Sequence, residues 1–241
     1  MKVLVIGSGG REHAVIRKLA ESREITRLYC APGNGGIRAQ AQTVDIAATD
    51  VEKMVDFAKR EGIDFVVVTP DDPLVLGMAD AMEAAGIPAF GPSRAAARIE
   101  GSKVFAKNLM RKYGIPTAQY AVFSDPAAAL DFIREAGRFP AVIKADGLAL
   151  GKGVVIAQDL EEARAALHAI MEEKIFGQSG SQVVVEEFLT GKEVSVLAFT
   201  DGHVVRPMVS SMDHKRAYDN DEGPNTGGMG TIAPSPYYTP E

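Results

Sequence analysis

Lys2-Val3-Leu4-Val5-Ile6-Gly7-Ser8-Gly9-Gly10-Arg11-Glu12-His13 opens the chain with an apolar run that ends on a glycine-rich turn. Val3–Ile6 is continuously apolar and β-branched, as a strand buried on both faces of a parallel sheet must be. The helix predicted over Arg11–Ser22 begins at the turn, where small residues and unpaired N–H groups suit a phosphate. The dinucleotide fingerprint G-x-G-x-x-G/A fails here on two counts. Its sixth position is Glu12, and the second strand ends Cys30-Ala31-Pro32-Gly33, without the acidic residue that holds a ribose hydroxyl. A phosphate site and a plain strand–helix turn both fit; a nicotinamide cofactor does not.

The same texture continues outward from this stretch. Leu28–Cys30, Thr43–Ile46, Phe65–Thr69 and Ala89–Phe90 read as strands, and Val51–Arg60 and Leu74–Ala85 as helices. This β-α-β-α order predicts a doubly wound parallel sheet. After Gly101 the pattern changes. Lys103–Lys112 is a connecting helix, followed by strands at Tyr120–Phe123, Ala141–Lys144, Val154–Ala157 and Val183–Leu189. Helices fall at Pro126–Ala136 and Leu160–Lys174. Two longer strands within Val194–Met212 flank the turn Asp201-Gly202, and 213–241 shows no helical or strand period. The expected division is 1–101, a connector at 102–117, a unit at 118–190 and another beginning at 191–241.

Composition removes several function classes. The chain has 241 residues, 46% of them hydrophobic, with 26 Lys and Arg against 32 Asp and Glu, a net charge of −6. Apolar content this high with modest charge argues against disorder, and mild acidity against general nucleic-acid binding. The lone Cys30 excludes a disulfide scaffold and a Cys-based zinc cluster. No apolar run approaches the roughly 18 residues of a membrane span, and the N-terminus is too short and β-like for a signal peptide. A cytoplasmic chain is expected. His13, His168, His203 and His214 show no ligand spacing, and no Ser/His/Asp grouping appears.

Two further glycine-rich stretches stand out. Lys144-Ala145-Asp146-Gly147-Leu148-Ala149-Leu150-Gly151-Lys152-Gly153 is not a phosphate loop of the G-x4-G-K-S/T type, because three residues separate Gly147 from Gly151 and a strand follows. It predicts two strands joined by a loop carrying two cations, either a lid over a triphosphate or a flexible hairpin. Lys144 in a central strand demands an anionic partner. Asp213-His214-Lys215-Arg216 and Gly223–Gly230 form a charged, glycine-rich loop of the kind that often carries function. Between them, the adjacent Glu186 and Glu187 at a strand end require donors, from a purine amino group and ribose hydroxyls or from salt bridges.

Taken in order, these residues resemble the N-terminal part of the glycinamide ribonucleotide synthetase (phosphoribosylamine–glycine ligase) family of the ATP-grasp superfamily. The resemblance rests on Val5-Ile6-Gly7-x-Gly9-Gly10-Arg11-Glu12-His13-Ala14, Ala31-Pro32-Gly33-Asn34, Phe90-Gly91-Pro92 and Glu100-Gly101-Ser102-Lys103. It also rests on the Lys144–Val154 loop, Glu186-Glu187-Phe188-Leu189 and the two segments of the third stretch. It implies an α/β chain, a doubly wound parallel-sheet domain followed by an incomplete ATP-grasp α+β unit. It also implies a ligase of purine biosynthesis that joins glycine to 5-phosphoribosylamine through a glycyl phosphate. ATP with Mg2+ or Mn2+ would drive the reaction, with no nucleic-acid or membrane partner and a monomer at full length. No protein nucleophile is needed, which agrees with finding none.

The resemblance also assigns roles. Lys103 and Lys144 face the ATP phosphates; Lys144 and Lys152 act in catalysis, and Gly147, Gly151, Lys152 and Gly153 form the lid. Glu186, Glu187 and Leu189 line the adenine site, and Glu193 holds the ribose. Gly9, Gly10, Pro70, Asp71 and Pro73 hold the phosphoribosylamine; Asp213, Lys215, Asn225, Thr226 and Gly227 face substrate. The family's Pro-Glu-x-Pro-Leu reads Pro70-Asp71-Asp72-Pro73-Leu74 here, which retracts the carboxylate by one methylene. Metal ligands are expected beyond residue 241, so the chain reads as an N-terminal fragment, expected to be inactive as a ligase. Another ATP-grasp ligase, or a non-catalytic nucleotide- or phosphoribosyl-binding module, is the alternative.

Overall fold

A computed structural model of the chain describes residues 1–148 and 153–239. Residues 149–152 and 240–241, with the side chains of Asp221 and Asn225, lie outside the described residues. Gly151 and Lys152, expected in the lid, fall among them.

The parallel sheet forms as its sequence predicts. Strands β1 (Lys2–Gly7), β2 (Arg27–Pro32), β3 (Gln42–Thr43), β4 (Phe65–Val68) and β5 (Ala89–Phe90) lie in the order β3-β2-β1-β4-β5, all parallel. Leu4, Val5 and Ile6 are fully buried, because helices cover both faces. α1 (Gly10–Leu19) and α2 (Val51–Glu61) alternate with the strands, α2 capped by Asp50 and stopped by Gly62 in a left-handed turn. The strand order reverses between β1 and β4. Ligands of open α/β sheets bind outside the carboxyl ends of strands at such a point.

Three readings of this region change. The helix expected over Leu74–Ala85 is two, α3 (Asp71–Leu76) and α4 (Met78–Ala84), because Gly77 adopts φ 93° between them. The strand expected over Thr43–Ile46 shrinks to β3, since pairing to β2 reaches only Tyr29 and Cys30. A helix unread in the sequence, α5 (Arg94–Gly101), follows an N-cap at Ser93 and leads into α6 (Lys103–Tyr113), itself capped by Ser102.

The second sheet is antiparallel. β6 (Tyr120–Phe123), β7 (Ala141–Ala145), β8 (Val154–Ala157) and β9 (Val183–Glu187) pair in the order β6-β9-β7-β8. α7 (Pro126–Ala136) and α8 (Leu160–Leu167) pack on the face formed by Ala141, Ile143, Ala145, Val183 and Val185. The helix expected to reach Lys174 passes instead into a π-turn at His168–Glu172, and β9 ends at Glu187, leaving Phe188 and Leu189 exposed.

The remainder is a series of short antiparallel pairs. β10 (Ala198–Thr200) and β11 (Val205–Pro207) flank Asp201-Gly202 as expected, but are only three residues each. The stretch expected to lack strands forms β12 (Met212–Asp213), β13 (Arg216–Tyr218), β14 (Glu222–Asn225) and β15 (Thr231–Ile232). Glycine and polar residues hide the strand period there, and backbone pairing supplies the order that apolar patterning lacks.

Candidate functional site

A cleft of about 560 Å3 lies between the two sheets, at the carboxyl ends of β1 and β4. Arg11 of α1 and Pro70 and Asp71 at the start of α3 line it from the ends of β1 and β4, Glu100, Lys103 and Lys107 from α5 and α6, and Lys144 and Glu186 from the antiparallel sheet. Strand alternation explains the last two. With Ile143 and Val185 turned to the helices, Lys144 and Glu186 point the other way. Lys103 and Lys107, four residues apart on α6, share one helix face for the same reason of period.

Glu186 is the centre of the charge arrangement. Its side chain is 5% exposed, and its Oε2 accepts from Lys144 Nζ and pairs with Lys107 Nζ, each at 3.0 Å. Lys107 also donates to Thr117 Oγ1 at 2.7 Å. Oε1 of Glu186 is buried and has no partner among the described residues. A carboxylate oxygen of this kind can only accept, so this atom calls for a donor from beyond the described residues. The strand lysine therefore has the anionic partner it needs, and that partner keeps one oxygen unpaired among the described residues.

The neighbouring carboxylate behaves differently. Glu187 accepts from the Gln119 N–H at 2.8 Å across the sheet end, so its side chain serves the junction with β6. Leu189 is exposed. Lys103 is half-buried, and burial pushes its ammonium below the usual lysine range while Asp146 and Glu100 pull back. Its Nζ donates to the Gly147 carbonyl at 2.7 Å.

The glycine-rich loop is anchored at its base. Asp146 accepts from the Val104 N–H at 3.1 Å and from Ser102 Oγ at 3.0 Å, tying the end of β7 to the start of α6. Gly147 takes φ 87°, and a Cβ there would press on Ser179 Oγ at 2.7 Å. Ser179 donates to the Leu148 carbonyl at 3.3 Å. Gly153 is buried and its carbonyl accepts from the Ala145 N–H at 2.8 Å, extending the β7–β8 hairpin. Lys107, Asp146 and Ser179 escaped the sequence reading; the four-residue spacing from Lys103 was the available signal for Lys107.

The first glycine turn is occupied by its own helix. Glu12, 3% exposed, accepts from the Gly9 N–H at 2.6 Å and from Thr69 Oγ1 at 2.5 Å, with Arg11 Nε at 3.1 Å. Its carboxylate lies where a Cβ on Gly7 or Gly9 would stand, while Gly10 has open space beside it. Pro73 is buried inside α3, whereas Pro70 and Asp71 reach the cleft.

Burial raises the Glu12 pKa, but the bonds from Thr69, Gly9 and Arg11 outweigh it and hold the group below its usual 4.5. A carboxylate lowered in the folded state stabilises fully above that value, and the stabilisation is lost as pH falls through the lowered one. Glu12→Gln is therefore expected to cost about 1–3 kcal/mol at pH 7. The deficit should shrink steadily below pH 4.5. Thermal melts of both proteins across pH 3–7 check this; a constant gap at every pH contradicts it.

The third expected group gathers elsewhere. Glu193, Asp213 and Lys215 line a separate cavity of about 650 Å3 that shares no lining residue with the cleft among the described residues. Lys215 bonds Glu193 directly and lies 3.7 Å from Asp213. Thr226 Oγ1 donates to the Lys215 carbonyl at 2.9 Å, and Gly227 is exposed in the loop after β14. Asn225 pairs with Arg216 through its backbone.

A doubly wound domain joined to a four-stranded antiparallel sheet, with lysines over the cleft between them, defines an ATP-grasp protein. Residues 101–241 match the model described as phosphoribosylglycinamide synthetase, ATP-grasp (A) domain, and residues 1–100 that synthetase's N domain. The chain belongs to the phosphoribosylglycinamide synthetase family. It is 51% identical over its whole length to the phosphoribosylamine–glycine ligase of Allochromatium vinosum. It is 52% identical over 98% of its length to that of Caldanaerobacter subterraneus. It spans 56% and 57% of those relatives, little more than half. The crystal structure of the Thermotoga maritima ligase covers 96% of the chain at TM-score 0.79 and 36% identity, the chain covering 55% of it. The biotin carboxylase domain of Hydrogenobacter thermophilus 2-oxoglutarate carboxylase shares the fold, at TM-score 0.73 and 19% identity over 89% of this chain and 50% of its own.

Proposed function

We propose that the cleft is the nucleotide site of an ATP-dependent carboxylate–amine ligase joining glycine to 5-phosphoribosylamine in purine biosynthesis. One observation carries the reading. Three lysines and a buried carboxylate with a free oxygen converge where a triphosphate and a purine amino group would each find a partner. Lys103 and Lys144 would bind phosphate oxygens, each exchanging a protein partner for the ligand. The donor that Glu186 Oε1 lacks is of the kind an adenine amino group supplies. Glu187 and Leu189 would contribute backbone groups at the end of β9, and Gly147 and Gly153 the hinges of a lid that includes Gly151 and Lys152.

In the reaction, a glycine carboxylate oxygen would bond to the γ-phosphorus as the bond to ADP breaks. The amine would then bond to the glycyl carbon as phosphate leaves, losing its proton to solvent. The lysines neutralise charge that develops on the phosphoryl oxygens, and closure excludes water. Among the described residues no three His, Cys, Asp or Glu side chains gather to hold a cation. Mg2+ or Mn2+ would enter on the triphosphate. From the separate cavity and the end of β14, Glu193, Asp213, Lys215, Asn225, Thr226 and Gly227 would serve the ribose and substrate side, with Gly9, Gly10, Pro70 and Asp71 on the opposite wall and the buried Pro73 supporting it from behind.

Because the chain is little more than half as long as the relatives it matches, it is expected to bind ATP without completing turnover. Calorimetric titration with ATP, with and without Mg2+, beside a steady-state assay with glycine and phosphoribosylamine, tests both parts. Heat without turnover supports the reading. Absence of heat at millimolar ATP overturns nucleotide binding, and full turnover overturns the division of labour.

A further inference from the structure

We propose that Lys107 is the positioning residue that sets base preference at this cleft, by holding Glu186 so that Oε1 remains an obligatory acceptor. The inference rests on the nucleotide reading above and adds a residue and a selectivity to it. Lys107 is 7% exposed and is fixed from three directions. Its Nζ lies 2.7 Å from Thr117 Oγ1, 3.0 Å from Glu186 Oε2 and 5.5 Å from the Tyr120 ring centroid. It lies deeper than Lys144, whose side chain is 28% exposed against 9% for Lys107.

That difference separates their roles. When Lys144 turns toward a triphosphate, it gives up some of its hold on Glu186. Lys107 cannot follow, because its ammonium is buried and tethered to Thr117. It alone then keeps the Glu186 carboxylate in place. With Oε2 committed to an ammonium, Oε1 can only accept. Adenine presents an amino donor from its six-position, whereas hypoxanthine presents a carbonyl oxygen there. Two acceptors face to face leave a buried polar group unpaired, the kind of mismatch that discriminates strongly. The selectivity is thus a rejection, and it depends on Lys107 fixing which oxygen is free.

The test titrates ATP and inosine triphosphate into the chain and its variants and reads the ratio of the two affinities. The unaltered chain should prefer ATP at least tenfold. Lys107→Met should lower that ratio below threefold, mainly through weaker ATP binding, and Lys107→Arg should recover most of it. Thr117→Val, which loosens Lys107 without removing its charge, should lower the ratio at least twofold, and it decides the matter if Lys107→Met fails to melt cooperatively. A role confined to folding would weaken both nucleotides alike, so an unchanged ratio in the deciding variant overturns the proposal. So does a ratio near one in the unaltered chain. If that chain binds neither nucleotide, the nucleotide reading itself falls and takes this one with it.

Discussion

Replacing Glu186 with alanine is expected to lower the melting temperature by more than any other single change in the cleft. The substitution removes the only carboxylate paired with Lys107 and Lys144 among the described residues. Breaking a buried pair from one side costs about 3–5 kcal/mol, because the remaining charge keeps its desolvation penalty. At roughly 2–4 °C per kcal/mol for a chain of this size, that is about 6–20 °C. Lys107 supplies most of the effect, since Lys144 can turn to water. ATP affinity should fall at least tenfold in the same protein, because the acceptor Oε1 is lost with the rest of the side chain. Glu187→Ala is the control. It removes a carboxylate bonded to one exposed backbone N–H, and should cost about 1 kcal/mol or less. Differential scanning calorimetry of the two variants checks the contrast; equal losses would show that position along β9 is irrelevant.

The second large effect lies outside the cleft. Gly180 sits against the π-turn at His168–Glu172, and a Cβ there would collide with the Ile170 backbone carbonyl oxygen. A carbonyl held inside a packed turn cannot swing aside as a side-chain tip can. Gly180→Ala should therefore cost about 3 kcal/mol or more, the upper range for overpacking a filled site. The neighbouring Gly177 has φ 57° and open space around it. Gly177→Ala should cost only about 1–2 kcal/mol of left-handed backbone strain. The same segment carries Ser179, which braces Gly147 and Leu148 at the base of the glycine-rich loop. Urea unfolding of both variants measures the difference, and a Gly180→Ala protein as stable as Gly177→Ala contradicts the packing account.

The parallel sheet was legible because each of its main strands is a short apolar run closed by Gly or Pro. A buried strand has no other way to be written. The break at Gly77 was hidden because the apolar spacing continues across it, and only the backbone angle tells two short helices from one. α5 escaped because its alanines and arginines show little contrast, though Ser93 was a legible cap. In the site, Lys103, Lys144 and Glu186 were legible as charges at strand and helix ends beside glycine. Lys107 was not, because a lysine four residues along an amphipathic helix reads as its solvated face. Its partner comes from β9, about eighty positions later, and only the packing of α6 against β9 brings them together. Glu12 was read as a departure from a glycine fingerprint; the fold makes it the group that closes that turn.

The proposed site would hold a nucleotide in the cleft with its base against the end of β9. Photolabelling with 2-azido-ATP, followed by digestion and mass spectrometry, tests it most directly. The label should fall on the peptide containing 183–189 and disappear when unmodified ATP is added in excess. Competable labelling confined to 7–13 or to 213–227 would contradict it.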